Sequence, residues 1–367
     1  MPKRRPAKKR SPAAAVLLAV LCLLLLAVSR YLDSRSEPAA SVSAPEAAQA
    51  DVSGLEVHFL DIGQGDSALL FCGDETLLID GGKVKNNQKL IARLKELEVD
   101  HLDAVICSHP DEDHCGGLSA VLASTRTDAF YCSVASWHTK VFSDVTKYVE
   151  QQGISVTIPQ AGDSFAFGEA SVEFLGPVED YGDDPNEGSL VARVRYGETS
   201  FLFTGDMGFE AEDDMLAAGV DVSATVLKVA HHGSAGSSST EFLQAVHPQY
   251  AVISVGADND YGHPTEAALN RLSACGIPVY RTDLLGEIIA VSDGSTVTMT
   301  TASSETPSAD AASQSTGSYG YVGNSSSKVV HLAGCGKLPG ESNRVYFASL
   351  DEALAAGYRK HANCLGN

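Results

Sequence analysis

The chain has 367 residues, of which 44% are hydrophobic, so it can bury one large core with a smaller module beside it and is not disordered throughout. Its formal net charge is −21, although residues 1–30 carry only basic charged side chains. Because nonspecific nucleic-acid affinity comes mostly from lysine and arginine, this acidic composition argues against a broad phosphate-binding surface.

The N-terminus combines a basic tail, residues 1–10, with an uncharged apolar run in residues 11–29. The run is intermediate in length between a signal-peptide core and a transmembrane helix. Basic residues before it predict that the C-terminal bulk is exported. We therefore predict a single-pass cell-membrane protein with an extracellular catalytic domain, or a secreted protein if the segment is cleaved. Residues 30–53, rich in Ala, Ser, Pro and Glu, are predicted to be a flexible linker.

Residues 54–300 show the pattern of an α/β domain, in which short apolar strands alternate with turns and helical segments. Polar clusters follow several of these strands. They are His109, Asp111, Asp113 and His114 in one turn, then Asp206, then His231 with His232, and finally His263. Since α/β sheets place their sites at strand ends, the clusters are predicted to meet.

These side chains predict a pair of divalent metals. One histidine or aspartate in a turn is usually structural, but two imidazoles and two carboxylates within residues 109–114 cannot be buried together without a partner that neutralises them. Lys228, just before the double histidine, is either a phosphate contact or an exposed residue at a strand end. Asp61 and Asp66, in the first glycine-rich loop, are expected to fix loop geometry rather than bind metal.

Several ordered motifs resemble the metallo-β-lactamase domain of the ComEC competence family, from about residue 55 to about residue 298. They are Phe59-Leu-Asp-Ile-Gly-Gln-Gly-Asp-Ser67, Leu78-Ile-Asp-Gly-Gly82, Ser108-His-Pro-Asp-Glu-Asp-His114, Phe203-Thr-Gly-Asp206, Leu227-Lys-Val-Ala-His-His-Gly-Ser234 and Tyr261-Gly-His-Pro264. The resemblance implies an αββα sandwich with the site at one edge of two facing sheets, and a hydrolase of phosphodiesters. It does not extend to the multi-span channel of those proteins, so DNA transport is not implied.

The resemblance also implies roles for the clustered residues. His109 and Asp111 belong to one metal, Asp113 and His114 belong to the other, and Asp206 bridges the two. His231 is the candidate for the remaining ligand, while His232 and His263 complete the shell or handle protons. Asp113, His232 and His263 are accordingly the predicted catalytic residues.

Two departures from the superfamily pattern concern the first metal. Asp111 stands where the general motif has a histidine, and a carboxylate in place of an imidazole makes Mn²⁺ or mixed occupancy as plausible as two Zn²⁺. The middle histidine ligand of the superfamily has no evident counterpart before Asp206, in the region that residues 186–190 occupy.

The predicted function is an exported nuclease or phosphodiesterase that cleaves DNA with a hydroxide activated by two metals. The alternatives are a hydrolase of a small ester or lactone, which the acidic surface favours, and a surface binding protein with a relic site. DNA as substrate and the membrane, through the N-terminal helix, are the predicted partners, and no protein partner is predicted.

A second linker, residues 301–318, precedes a small α+β module in residues 319–367, which is too short to bury much core without a staple. Two closely spaced histidine–cysteine pairs predict one structural zinc, which His331, Cys335, His361 and Cys364 would bind. The module resembles the metal-binding domain of the Ada DNA-methylation repair protein, through residues 346–347, 352–353 and 355–359. Because histidines replace two of that domain's four cysteines, methyl transfer is not expected, whereas DNA contact, a structural role and binding of cell-surface material all stay open.

Overall fold

The computed structural model describes residues 54–257, 259–301, 321–332, 337–340, 343–347 and 350–361. The predicted N-terminal helix, the linker at residues 30–53, and the zinc ligands Cys335 and Cys364 lie outside these residues. Within the described ranges, no helix is long and apolar enough to cross a membrane. The membrane anchor therefore stays a prediction.

The described residues contain short strands and helices in alternation. In chain order the strands are β1 (Leu55–Phe59), β2 (Ala68–Cys72), β3 (Glu75–Ile79), β4 (His101–Cys107), β5 (Arg126–Cys132), β6 (Val156–Thr157), β7 (Ser164–Phe167), β8 (Ala170–Gly176), β9 (Val191–Tyr196), β10 (Thr199–Phe203), β11 (Val226–Lys228), β12 (Tyr250–Ile253), β13 (Val279–Arg281), β14 (Ile288–Ser292), β15 (Val297–Thr301), β16 (Tyr321–Asn324), β17 (Val329–Leu332), β18 (Arg344–Phe347) and β19 (Arg359–Lys360). The α-helices are α1 (Asn87–Glu96), α2 (Glu112–Cys115), α3 (Leu118–Ser124), α4 (Lys140–Gln151), α5 (Phe209–Ala217), α6 (Thr240–Val246), α7 (Glu266–Ala274), α8 (Thr282–Leu285) and α9 (Leu350–Ala355). Single 3-10 turns occur at Val84–Asn86 and Ala230–Gly233.

Two sheets form the large domain. The first has the strand order β15-β14-β1-β2-β3-β4-β5-β6, and the second has the order β13-β12-β11-β10-β9-β8-β7. Strands β3 to β6 run parallel in the first sheet, and β10 to β13 run parallel in the second. The loops that follow parallel neighbours leave the sheet at the same edge, so each sheet brings several strand ends together there.

The sheets pack face to face over a shared apolar core. Phe59 of β1 stacks on Phe203 of β10 with ring centroids 5.9 Å apart, and both side chains are buried. Full burial of such a side chain stabilises the folded chain by about 1.5–3 kcal/mol. The last four residues of β4, Ala104 to Cys107, are all apolar and buried, because both faces of this parallel strand are covered there.

Helices cover the outer face of each sheet. Leu90 of α1, Leu118 of α3 and Phe142 of α4 lie in the core behind the first sheet. Behind the second sheet, Met215 of α5 and Phe242 of α6 belong to the corresponding core, together with residues of α7. The order helix, sheet, sheet, helix confirms the predicted αββα sandwich.

The C-terminal residues form a separate four-stranded sheet, ordered β18-β16-β17-β19, with α9 beside it. Its core consists of Val330, Phe347, Ala353 and Tyr358, in which the Phe347 and Tyr358 rings meet edge to face at 4.8 Å. So small a core supplies little stability by itself.

Candidate metal centre

The predicted ligands converge where parallel strands of the two sheets end. Asp80 follows β3 and His109 follows β4, whereas Asp206 follows β10 and the double histidine follows β11. Phe203 of β10 is in register with Lys228 of β11, so the polar residues three positions beyond each lie side by side. A backbone hydrogen bond of 3.1 Å from the His231 N–H to the Gly205 carbonyl holds the two loops together.

The turn after β4 buries two imidazoles against each other. His109 and His114 are both fully buried, and their ring centroids lie 4.1 Å apart. Asp111, the residue before α2, has its Oδ2 atom 3.9 Å from His109 Nε2 and remains partly exposed. Asp113 lies on α2 beside His114. The turn thus brings two adjacent imidazoles and two carboxylates to one strand end, with Asp111 near His109 and Asp113 near His232.

Asp206 occupies the middle of the cluster. Its Oδ1 lies 3.1 Å from His114 Nε2, and its Oδ2 lies 3.6 Å from His232 Nε2 and 3.7 Å from His231 Nε2. Gly205 before it has a positive φ of 50°, and a Cβ there would lie 2.8 Å from Ser189. A side chain at this position would push the loop off the site. The central position of Asp206 is the geometry that a bridging carboxylate requires.

His231 and His232 share an unusual backbone conformation. Their φ angles are +50° and +53°, in the left-handed region, which costs a non-glycine residue roughly 1–2 kcal/mol. The side chains therefore leave the loop in different directions. His231 is 30% exposed, whereas His232 is buried and directs Nε2 to within 3.7 Å of Asp113 Oδ2.

Two buried charged side chains, Arg271 and Glu212, support the residues that follow this strained loop. The Arg271 guanidinium donates to the carbonyls of Ser238 at 2.7 Å and of Ser237 at 2.6 Å. The Glu212 carboxylate accepts the backbone N–H groups of Ser238 and, at 2.7 Å, of Ser239. Burial raises the pKa of Glu212 to about 7. These contacts fix the residues that follow the double histidine, and so offset the cost of its backbone conformation.

Each of the two most central imidazoles has an acceptor behind it. His114 Nδ1 lies 2.8 Å from Asp80 Oδ2, and Asp80 in turn accepts the N–H and the hydroxyl of Ser108 at 2.7 Å each. His232 Nδ1 lies 2.9 Å from the Ser254 carbonyl and 3.0 Å from Asp66 Oδ1. Acceptors at Nδ1 hold the proton there and leave Nε2 free to bind a metal.

The donor set fits divalent metal ions. Five buried atoms at the centre make no hydrogen bond of acceptable geometry among the described residues: Nε2 of His109, His114 and His232, and Oδ1 of Asp66 and Asp206. The approaches of Asp206 Oδ1 to His114 and of Asp66 Oδ1 to His232 are ion-pair distances. Unpartnered buried polar atoms are costly unless a ligand satisfies them. Four of these residues, Asp66, His114, Asp206 and His232, each offer a ligand atom within 4.8 Å of the others.

The electrostatics of the cluster agree with a site for cations. Burial, followed by the nearby charge of His114, lowers the pKa of His109 to about 3. Burial by itself favours the neutral form of Asp113 and of His232, but their mutual contact and the neighbouring charges reverse that effect, so the pKa of Asp113 is lowered and that of His232 is raised to about 10. A metal ion that binds His232 has to displace this proton.

Lys228 is neither an exposed strand-end residue nor free to contact phosphate. It is buried, and its Nζ lies 2.7 Å from Asp66 Oδ2 and 2.9 Å from the Val229 carbonyl. The ammonium lowers the pKa of Asp66 in spite of the opposing effect of burial. Both alternatives considered from the sequence were therefore wrong, because Lys228 serves to neutralise Asp66 inside the domain.

The two aspartates of the first loop have different roles. Asp61 accepts the Gly63 N–H at 3.2 Å and pairs with Lys89, so it fixes loop geometry as predicted. Asp66 also contacts His232 and is one of four buried residues that could hold a metal ion. The expectation that Asp66 fixes loop geometry rather than binds metal stays a prediction.

Within residues 186–190, the region where the sequence shows no middle histidine, Ser189 approaches the site. Its hydroxyl lies 3.4 Å from His109 Nδ1 and accepts the Asp206 N–H at 3.1 Å. Glu187, two residues earlier, accepts the N–H groups of Gly208 and Ala211 and so caps α5. This segment orients Asp206 and α5, and a first metal, if bound as predicted, would be held by His109, Asp111 and Asp206.

His263 lines the outer side of the cluster. Its ring centroid lies 5.6 Å from that of His231 and 6.4 Å from that of His232. Burial, with the charge of His232, lowers its pKa to about 4. His263 is therefore neutral at pH 7 and beside the ligands, whereas the assignment of metal and proton roles among the three histidines stays a prediction.

Several residues that support the site were not identified from the sequence. Asp80 directly follows β3 and precedes two glycines. A polar residue just after a strand is the signal by which Asp206 was identified, and it could have identified Asp80 as well. Arg271 and Glu212 lie within helices α7 and α5, where nothing in the local pattern separates a buried charge from a surface charge.

Comparison with known proteins agrees with this geometry. The model of the metallo-beta-lactamase superfamily matches residues 60–257, more than half of the chain. The competence protein ComA of Neisseria gonorrhoeae is 34% identical over 285 residues, covering 76% of this chain and 38% of that protein. ComE operon protein 3 of Bacillus subtilis is 30% identical over 251 residues, covering 64% of this chain and 32% of that protein.

The chain thus spans about a third of the length of these curated relatives. Among solved structures, the metallo-beta-lactamase fold protein YhfI from Bacillus subtilis aligns with a TM-score of 0.45 and 14% identity, over 65% of this chain and 100% of that one.

Proposed function

The chain belongs to the metallo-β-lactamase superfamily, and from this membership and the geometry of the centre we propose that it is a metal-dependent phosphodiesterase that cleaves DNA. The coarser part of this statement is established, since the chain is a hydrolase of this fold, related to competence proteins and equipped with a candidate metal site. The substrate, the reaction and the location outside the cell are the proposal.

The observation that carries the proposal is the position of Asp206 at the centre of a buried group of imidazoles. Its Oδ1 lies 3.1 Å from His114 Nε2 and its Oδ2 lies 3.6 Å from His232 Nε2, while Asp113 approaches His232 and the His109 ring lies beside that of His114. Two divalent ions held there would activate water at neutral pH and neutralise the charge that develops on a phosphoryl group. Zn²⁺ and Mn²⁺ both suit this mixed set of imidazole and carboxylate ligands.

Side chains of the protein would then orient the metal ligands and donate a proton to the leaving group. The exposed face of His231, 3.7 Å from Asp206, is placed to donate a proton to a leaving oxygen, while His263 is held neutral beside it. Ser108, Asp80 and Ser254 hold the ligand rings in place. Pre-orientation of this kind contributes to catalysis because no reorganisation is needed during the reaction.

DNA is the proposed substrate although the chain is acidic. The metals supply positive charge at the point of cleavage, and Lys83 places its Nζ 3.8 Å from Asp113 Oδ2. One relative, ComA of Neisseria gonorrhoeae, is a competence protein by name, which supports DNA as the substrate class. Export, through the apolar N-terminal segment, would bring the site to DNA outside the cell.

The direct test uses the purified full chain, stripped with a chelator and reloaded with Zn²⁺ or Mn²⁺. We expect cleavage of single- or double-stranded DNA that requires one of these ions. A reloaded protein that leaves every form of DNA intact but hydrolyses small esters or lactones would establish the alternative function. A large domain that retains fewer than two metals would instead favour a binding protein with a relic site.

We also propose a structural zinc in the C-terminal module. The rings of His331 on β17 and of His361 after β19 lie 4.1 Å apart, and His331 Nδ1 is buried without a hydrogen-bond partner among the described residues. Cys335 and Cys364 lie outside those residues, at the spacing that would complete a tetrahedral site.

Substitution of His331 and His361 together by alanine is expected to lower the zinc content by one equivalent per chain and to expose the module to proteolysis, because its core is small. Metal analysis by mass spectrometry checks the first effect. His138→Ala, which removes an exposed histidine of the large domain, serves as the matched control. An unchanged zinc content in the double variant would contradict the proposal.

A further inference from the structure

Beside the metal centre, Tyr261 is exposed to an unusual degree. It is 59% exposed, and among the described residues it is the one aromatic side chain in the group of large hydrophobic residues that remain exposed. Its ring is stacked near that of His263 at 25° and 5.7 Å, so it stands at the mouth of the site. An aromatic ring left open at the mouth of a polar site is a contact surface for a planar ligand.

The loop that carries Tyr261 is rigidly built. The Asn259 side chain donates to the carbonyls of Gly256 at 2.9 Å and of His263 at 2.6 Å. The same side chain accepts the N–H groups of Tyr261 at 3.2 Å and of His263 at 2.9 Å. One side chain thus closes the loop with four hydrogen bonds, and the exposure of the Tyr261 ring is a property of an ordered loop.

A cation lies between this ring and the metal ligands. Lys83 Nζ is 3.3 Å from the Tyr261 hydroxyl, 4.9 Å from the ring centroid and 3.8 Å from Asp113 Oδ2. Lys83 comes from the first sheet and Tyr261 from the second, so the pair closes one side of the mouth. The chain is acidic, so the Lys83 ammonium at the mouth of the metal centre attracts an anionic group to that position.

From this arrangement we propose that Tyr261 and Lys83 form a binding subsite for one nucleotide of single-stranded DNA next to the cleaved phosphate, with the base on the Tyr261 ring and the phosphate on Lys83. The inference rests on the proposed function and names the form of the substrate. Every DNA base has a flat π-face that can stack on the Tyr261 ring. Such stacking therefore does not depend on the sequence of the DNA. A paired base inside a duplex does not offer that face, so the subsite selects single strands or frayed ends.

The test compares binding and cleavage of two probes by the full, metal-loaded chain: a single-stranded oligothymidylate and an oligomer of the same length that lacks all bases. The wild-type protein is expected to bind the complete oligomer about tenfold more tightly. Tyr261→Ala should abolish this preference, whereas Tyr261→Phe, which retains the ring, should preserve it. Lys83→Ala should weaken the binding of both probes to a similar extent.

The matched control is Lys147→Ala, because Lys147 also lies near a tyrosine ring, 5.4 Å from the centroid of Tyr148, but on α4. It should leave both affinities unchanged. Equal wild-type binding of the two probes, or an undiminished preference in Tyr261→Ala, would overturn the inference even if DNA is cleaved. A base preference that depends on Tyr261, in a protein that cleaves no DNA, would uphold the subsite and refute the proposed function.

Discussion

Replacement of Asp206 by asparagine is expected to lower the rate of hydrolysis by about a thousandfold and to release at least one metal ion per chain. A loss of that size corresponds to about 4 kcal/mol of transition-state stabilisation. It exceeds what we expect from any residue that only orients a ligand, since such residues typically contribute about 10–100-fold.

The reason lies in the contacts of the two carboxylate oxygens. Oδ1 faces His114 and Oδ2 faces His231 and His232, so both oxygens are engaged in the cluster. An amide has nearly the same shape but loses the charge and turns an NH₂ donor toward one of these neighbours. The substitution therefore changes the chemistry of the centre without opening a cavity in the core.

Turnover of DNA and metal content by mass spectrometry, measured on the same preparation, check this expectation. The control is Asp213→Asn, which alters an exposed carboxylate on α5, a few residues further along the chain. A variant at position 206 that keeps two metals and the wild-type rate would show that Asp206 is not a bridging ligand.

The second large effect is a difference in metal content and rate between variants of the adjacent residues His231 and His232. His232→Ala is expected to release one metal ion and to lower the rate by about a thousandfold, because His232 is buried and its Nε2 lies between Asp113 and Asp206. His231→Ala is expected to retain both metals and to lower the rate by about a hundredfold, the size of effect typical of a lost proton donor.

This pair of variants decides between two assignments. The resemblance to the competence family made His231 the candidate for the remaining ligand and left His232 either to complete the shell or to handle protons. From the burial of His232 between Asp113 and Asp206, we propose that His232 is the ligand. Metal content of the two variants, together with the pH dependence of the rate in His231→Ala, is the measurement. Loss of metal in His231→Ala with full metal retention in His232→Ala would establish the assignment made from the sequence.

Much of the fold was predictable from local pattern. The apolar run of β4 and the turn that follows it gave the strand end at which His109 and His114 lie, because a buried parallel strand needs an uninterrupted apolar sequence. The same rule located Asp206 after β10. The two facing sheets covered by helices were expected from the resemblance to the ComEC family, and the structure confirms them.

The sequence by itself determined which residues directly follow the strands at one edge of the sheets. The pattern of apolar residues marks where each strand ends, and the chain direction gives the edge. Only the tertiary structure decided which of them touch. Asp66 meets His232 and Lys228 across two different sheets, and the buried Arg271 fixes a loop more than thirty residues before it. Such pairings depend on side-chain direction and on the packing of distant segments, and no local period in the chain encodes them.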